Sequence, residues 1–292
     1  MTDNYRGAVL MTFSMAAFVL NDTFMKLALG SVPLFQAMTL RGLLTTALVA
    51  ALCLAYGVLR VSLSRRDWIY VVLRAFSEAG AAVFFLTALA NMPIANLIAI
   101  LQLLPLTVAL GGFVFYGEAI GWRRALAIAL GFVGMILIVQ PEANGFDINT
   151  AYALISVGFV TLRDLITRRM SKSVPSLFVT LTASISVLAL AAGLSLFQTW
   201  EPVSNEVSAY IGLAALIVSL GYLLSVMVMR VGDMAHVAFF RYTGLLWALL
   251  LGAFVFDEWP EPLVLLGAGL IVGAGAFTMW RERVVKARSA RL

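Results

Sequence analysis

At 292 residues, 62% hydrophobic and only 12% charged, the chain has about half the charge of an average soluble domain, roughly 25%, and cannot cover a water-facing surface with polar groups. Its net charge of +5 does not point to nucleic acid, because the basic residues sit at helix ends and in the tail Arg281, Arg283, Lys286, Arg288 and Arg291, as membrane topology requires. The lone cysteine, Cys53, allows neither an internal disulfide nor a cysteine metal cluster, and no cofactor is expected.

Apolar runs and proline or glycine breaks predict ten spans, at 6–29, 33–57, 67–91, 94–116, 120–140, 148–170, 174–197, 207–230, 234–257 and 260–281. The first is interrupted by Asn21, Asp22 and Lys26, so it reads as a retained helix rather than a cleaved signal. Pro33 opens the second, which carries Arg41, and the third holds Arg74 and Glu78. Pro93 opens the fourth, where Pro105 is expected to produce a kink beyond Asn96 and Gln102. Gly131 and Gly134 in the fifth, and Gly267, Gly269, Gly273 and Gly275 in the tenth, are expected to let helices approach closely. The sixth carries Arg163, Asp164 and Arg168, and Pro175 opens the seventh. Tyr222 lies on the eighth, and His236, Arg241, Tyr242 and Trp247 on the ninth. These runs are continuous rather than alternating, so helices and not a barrel are expected.

Lys and Arg loop residues set the orientation. Arg6, Arg60, Arg65, Arg66, Arg123, Arg124, Arg168, Arg169, Lys172, Arg230 and the tail share one side. Glu142, Asp147, Glu201, Glu206, Asp257, Glu258 and Glu261 share the other. Both termini are therefore expected in the cytoplasm.

The halves repeat at an offset of about 140 residues: Phe113–Glu118 matches Ala253–Glu258, Asp22 and Lys26 match Asp164 and Arg168, and Pro33 matches Pro175. Five spans is an odd number, so the second copy inserts upside down. The expected organisation is a first repeat at 1–145, an inverted second at 146–281, and a basic tail at 282–292. Inverted repeats around a midplane site are a recurring transporter design.

Two five-helix units, each ending in a helix, an acidic residue and a glycine-rich helix, resemble EamA-type members of the drug/metabolite transporter superfamily over essentially the whole chain. The segment Phe18-Val19-Leu20-Asn21-Asp22-Thr23-Phe24-Met25-Lys26, with Pro33 and Arg41-Gly42, is similar to a bacterial subgroup that includes S-adenosylmethionine and riboflavin importers; other members export amino acids. The resemblance implies a ten-helix carrier of a small metabolite in the bacterial inner membrane.

A charge near the bilayer centre costs about 2.5–3.5 kcal/mol on insertion scales, so it faces a cavity or a partner. Arg41 and Arg241 have no acidic residue four positions away on their own helices and are the main candidates for holding an anionic group. Asp22, Glu78 and Asp164 are candidates for a cationic group or a coupling proton. Each has a plainer reading. Arg74 and Glu78 sit i, i+4 and neutralise one another, Asp22 and Lys26 share that spacing, and Lys26 and Arg163 snorkel to the surfaces. His236 is either interfacial or a proton relay. Asn96, Gln102, Tyr222, Tyr242 and Trp247 fill out the expected site, aromatic faces serving to stack on a planar ring or a cation.

The expected function is transport of a small polar or zwitterionic metabolite, with an amino-acid or drug exporter of the same fold as the alternative. A lipid flippase and a membrane-embedded transferase are the rivals from other classes. The lone histidine and cysteine oppose an enzyme, and no Walker loop is present to couple ATP. A homodimer is a candidate assembly.

Overall fold

The protein is described by a computed structural model covering residues 3–59, 61–118, 121–140, 147–171, 173–228 and 238–289, with the backbone alone at 3–4, 124, 226, 238–239, 279 and 282–289. Among the described residues every regular element is helical: α1 (Asp3–Leu29), α2 (Leu34–Ala55), α3 (Arg65–Asn91), α4 (Ile94–Leu101), α5 (Leu104–Tyr116), α6 (Trp122–Val139), α7 (Ile148–Arg169), α8 (Ser176–Ser195), α9 (Asn205–Val228), a 3-10 turn (Ala238–Tyr242), α10 (Thr243–Phe256) and α11 (Pro262–Ser289). Among the described residues seven helical stretches are long and apolar enough to cross a membrane, α4 and α5 counting as one, and three shorter apolar helices accompany them.

The boundaries follow local chemistry. Pro33, Pro93 and Pro175 stand at the N-caps of α2, α4 and α8, where a missing N–H costs nothing. Ser64 caps α3 by accepting from the Asp67 amide at 3.1 Å, and Asp147 caps α7 by accepting from the Asn149 and Thr150 amides. The fourth span is not merely kinked. It breaks at Gln102–Leu103, and Pro105 falls in the first turn of α5, where its ring cannot continue the preceding turn. A second break falls at Tyr242, between the 3-10 turn and α10, at the position matching Gln102. The last helix continues to Ser289, past its expected end at 281, because the Arg-, Glu- and Lys-containing segment after Trp280 is made of good helix formers.

The most extensive packing joins the two halves of the chain: α1 with α9, α3 with α7, α2 with α8, and α6 with α11. Exchanging first-half elements for their second-half counterparts leaves this set of pairs unchanged. At the α6–α11 crossing, a Cβ on Gly134 would lie 2.6 Å from the Gly267 carbonyl oxygen, and one on Gly267 would lie 2.5 Å from that of Gly134. Only glycine permits backbones that close. Gly269 and Gly273, expected to do the same, face open space.

Helix α3 fixes the ends of the bundle. Lys26, in the last turn of α1, donates to the Met92 carbonyl just beyond α3 at 2.7 Å. The Ser171 amide, just beyond α7, donates to Asp67 in the first turn of α3 at 3.1 Å. Because α3 has 27 residues and a helix rises about 1.5 Å per residue, α1 and α7 finish roughly 40 Å apart. Large apolar side chains, among them Leu54, Phe76, Phe113, Phe115, Leu216 and Phe254, cover the outer surface, as contact with lipid requires and water would not tolerate.

Candidate functional site

Two polar groups occupy equivalent places in the halves. On α1, Asn21 Nδ2 donates to Asp22 Oδ1 at 2.8 Å, and Arg41 Nη1 of α2 donates to Asn21 Oδ1 at 3.2 Å. Asn21 therefore bridges Asp22 and Arg41. One turn beyond Arg41, the buried Thr45 hydroxyl has no hydrogen-bond partner among the described residues. On α7, Arg163 replaces Asn21 in the pattern and donates to Asp164 Oδ1 at 2.9 Å.

Arg163 ties the second group to α3. Its Nη1 lies 3.3 Å from each oxygen of Glu78, and Arg74 Nη2 approaches Glu78 at 3.7 Å. Arg74 also donates through Nε to Thr167 Oγ1 at 3.1 Å, while its buried Nη1 has no partner among the described residues. The i, i+4 pair expected of Arg74 and Glu78 is present, but Arg163 is held in the interior and does not snorkel.

Tyr222 of α9 lies near both groups. Its hydroxyl is within electrostatic reach of Arg41 and of Glu78, Arg163 and Arg74, and its ring meets Phe18 edge-on at 5.5 Å. Arg241, in the 3-10 turn, is within electrostatic reach of Asp164 and makes no ion pair among the described residues. Among the described residues the set holds three carboxylates, Asp22, Glu78 and Asp164, against four guanidinium groups, Arg41, Arg74, Arg163 and Arg241. A surplus positive charge in hydrocarbon calls for an anionic partner.

Of the residues singled out from sequence, Asp22, Arg41, Glu78, Asp164, Tyr222 and Arg241 share this network. Gln102 and Tyr242 sit at the two helix breaks, with Gln102 Nε2 beside Gly244 of α10. Asn96 lies apart. It lines a cleft of about 600 Å³ with Gln140, Asp147, Asp257, Glu258 and Glu261, at the end of the bundle where α1 finishes. Trp247 packs against the main apolar core. His236, Arg60, Lys172, Arg230, Glu142 and Arg291 lie outside the described residues. The sequence reading left Arg163 and Arg74 out of the expected site, and both belong to this charge network. The usable signal was the match of Asn21-Asp22 with Arg163-Asp164, each a donor side chain immediately before an aspartate.

Lys26 departs from expectation. It does not pair with Asp22 one turn away. It forms an ion pair with Glu258 at the start of the loop after α10, because α10 ends beside the last turn of α1 while Asp22 is held by Asn21.

The EamA-like transporter family matches residues 5–140 and again residues 149–280. Relatives include a riboflavin transporter of Rhizobium johnstonii, 28% identical over 68% of this chain and 66% of its own. Others are an S-adenosylmethionine uptake transporter of Rickettsia bellii, 24% identical over 65% and 64%, and a riboflavin transporter of Vibrio cholerae, 27% identical over 77% and 76%. The matched stretch spans just under two thirds of the length of the first two. A solved crystal structure superposes with a TM-score of 0.64 at 21% identity, covering 95% of this chain and 98% of that one, which shows likeness of fold.

Proposed function

The chain belongs to the EamA-like transporter family, and from that premise we propose that it is a secondary carrier of a small polar or zwitterionic metabolite, working by alternating access in a bacterial inner membrane. The observation that carries this reading is the mixed-sign network of Asp22, Arg41, Glu78, Arg163, Asp164 and Arg241. It is built from both halves and, apart from Arg241 in the 3-10 turn, lies inside helices otherwise apolar enough to span a bilayer. Buried charges of both signs suit a solute that brings both signs, and they are wasted on a greasy one.

The architecture proposed is ten spans in two oppositely inserted five-helix repeats. Its support is that α1 and α7 finish at opposite ends of α3 and that the packed pairs map onto one another when the halves are exchanged. Breaks at the matching positions Gln102 and Tyr242 support a site between the halves, since discontinuous helices free backbone groups for a solute. In this site Arg41 and Arg241 hold the anionic group, and Asp22 holds a cationic group or a coupling proton. Gln102, Tyr222 and Tyr242 shape the walls.

Riboflavin, S-adenosylmethionine and amino acids are the candidate solutes, the first two from the relatives' names. Uptake of each in radiolabelled form into proteoliposomes tests the reading and gives the direction of net transport. A polar or zwitterionic solute should accumulate, and Arg41→Ala and Arg241→Ala should each abolish its transport while the protein still inserts. Movement of hydrophobic cations alone, or wild-type rates in both variants, would overturn it.

A further inference from the structure

Two ion pairs outside the central network join the halves at opposite ends of the bundle. At one end Lys26 pairs with Glu258 and also donates to the Met92 carbonyl at 2.7 Å. The second carboxylate oxygen of Glu258 accepts from the Ile94 amide, the first of α4, at 2.9 Å, and the Phe256 ring lies 4.9 Å from the ammonium. At the other end Arg168 lies 3.7 Å from Glu118. Beside it the Arg169 guanidinium covers the Tyr116 ring at 4.1 Å, and the Tyr116 hydroxyl donates to the Leu165 carbonyl at 2.6 Å.

The two ends correspond residue by residue: Lys26 with Arg168, Glu258 with Glu118, and Phe256 with Tyr116. Each glutamate follows a residue in the left-handed region, Asp257 at φ 54° and Gly117 at φ 65°. Each donates its own amide back to a glycine carbonyl, Glu258 to Gly252 at 2.9 Å and Glu118 to Gly112 at 3.2 Å. One tight turn thus aims both carboxylates at the other half. The pairs differ in how firmly they are made. The side chains of Lys26 and Glu258 are 13% and 21% exposed, whereas those of Arg168 and Glu118 are each 44% exposed.

We propose that Lys26–Glu258 and Arg168–Glu118 are matched latches that fasten opposite ends of the solute path in turn. The proposal rests on the alternating-access reading above. Two halves that rock about a central site must part at one end while they meet at the other, and a charged pair across the halves resists that parting only while it is closed. The structure then has the Lys26 end fastened and the Arg168 end held more loosely. Because the pairs stabilise opposite states, breaking either one shifts the population toward opening at its own end.

Ile100, 1% exposed and six residues further along α4 than Ile94, whose amide Glu258 holds, lies behind the Lys26 latch and provides the reporter. Ile100→Cys in a Cys53→Ser background is labelled in membrane vesicles with an impermeant maleimide, applied to the face where Val203→Cys labels. Lys26→Met and Glu258→Gln should each raise the labelling rate on the order of fivefold or more, the low end of site-to-site coupling. The two together should do no more than one alone, as members of one pair behave. Glu118→Gln and Arg168→Gln should lower the rate. Labelling after denaturation normalises for protein amount. Where a variant fails to accumulate, Lys26→Arg or Glu258→Asp should move the rate the same way by a smaller factor. Changes of the same sign from both ends, or an unchanged rate without Lys26 or Glu258, overturn the proposal. The readout is access rather than flux, so a wild-type chain that moved no solute would count against the carrier reading alone.

Discussion

Arg163 is the residue on which the interior charges depend. It contacts both Glu78 and Asp164, so removing it takes the contacting cation from Asp164 and leaves Glu78 with Arg74 alone, whereas removing Arg41 breaks a single hydrogen bond to Asn21. Breaking a buried pair costs about 3–5 kcal/mol. With these side chains about a fifth exposed, screening brings the expected loss for Arg163→Met to about 2–3 kcal/mol. Thermal unfolding of the purified protein should therefore show a clear drop for Arg163→Met and little change for Arg41→Met. Equal drops would mean that Arg41 is a structural charge. The sequence makes Arg41 and Arg241 conspicuous because neither has an acidic neighbour one helical turn away. It conceals Arg163 because an arginine in the inner half of a helix has a surface within reach. Lys26 misleads for a related reason: its i, i+4 spacing to Asp22 suggests a local pair, and a partner 232 positions away in sequence leaves no local trace.

Among elements, the proline-marked boundaries were legible almost to the residue, since Pro33, Pro93 and Pro175 each fall at an N-cap. The two helix breaks show where legibility stops. Pro105 announces the one at Gln102, while no proline marks the one at Tyr242, which is visible only by its match to the first. The glycines divide in the same way, because composition does not say which of them meets a neighbouring backbone. The α6–α11 crossing rests on Gly134 and Gly267, where a Cβ on either would fall within 2.6 Å of a carbonyl oxygen. Gly134→Ala and Gly267→Ala should each destabilise the protein by about 1–3 kcal/mol, the usual effect of overpacking. Gly269→Ala and Gly273→Ala, which point into open space, should be neutral or slightly stabilising, as alanine favours a helix. The four variants compared by thermal shift separate these outcomes, and a loss at Gly269 equal to that at Gly134 would refute the crossing.

At the scale of the whole molecule, charge and topology have to agree. The end of the bundle where α1 finishes carries Asp147, Glu201, Glu206, Asp257, Glu258 and Glu261, and the end where α7 finishes carries Arg65, Arg66, Arg123, Arg168 and Arg169. Lys and Arg in short loops are retained in the cytoplasm, so the α7 end should face inward and the cleft lined by Asn96 and Glu258 outward. The helices leave little freedom here. An even number of spans puts both chain ends on one side, while a ninth span that failed to cross would place the basic residues after Trp280 opposite Arg65 and Arg66. Single cysteines at Val203, in the loop before α9, and at Ser62, in the loop before α3, report the two faces once Cys53 is replaced by serine. In intact cells an impermeant maleimide should label Val203→Cys directly and Ser62→Cys only after permeabilisation, with a reporter fused at either terminus behaving like Ser62. Direct labelling of Ser62→Cys would turn the molecule over, and termini on different faces would remove one span and with it the opposed repeats proposed to frame the charged network.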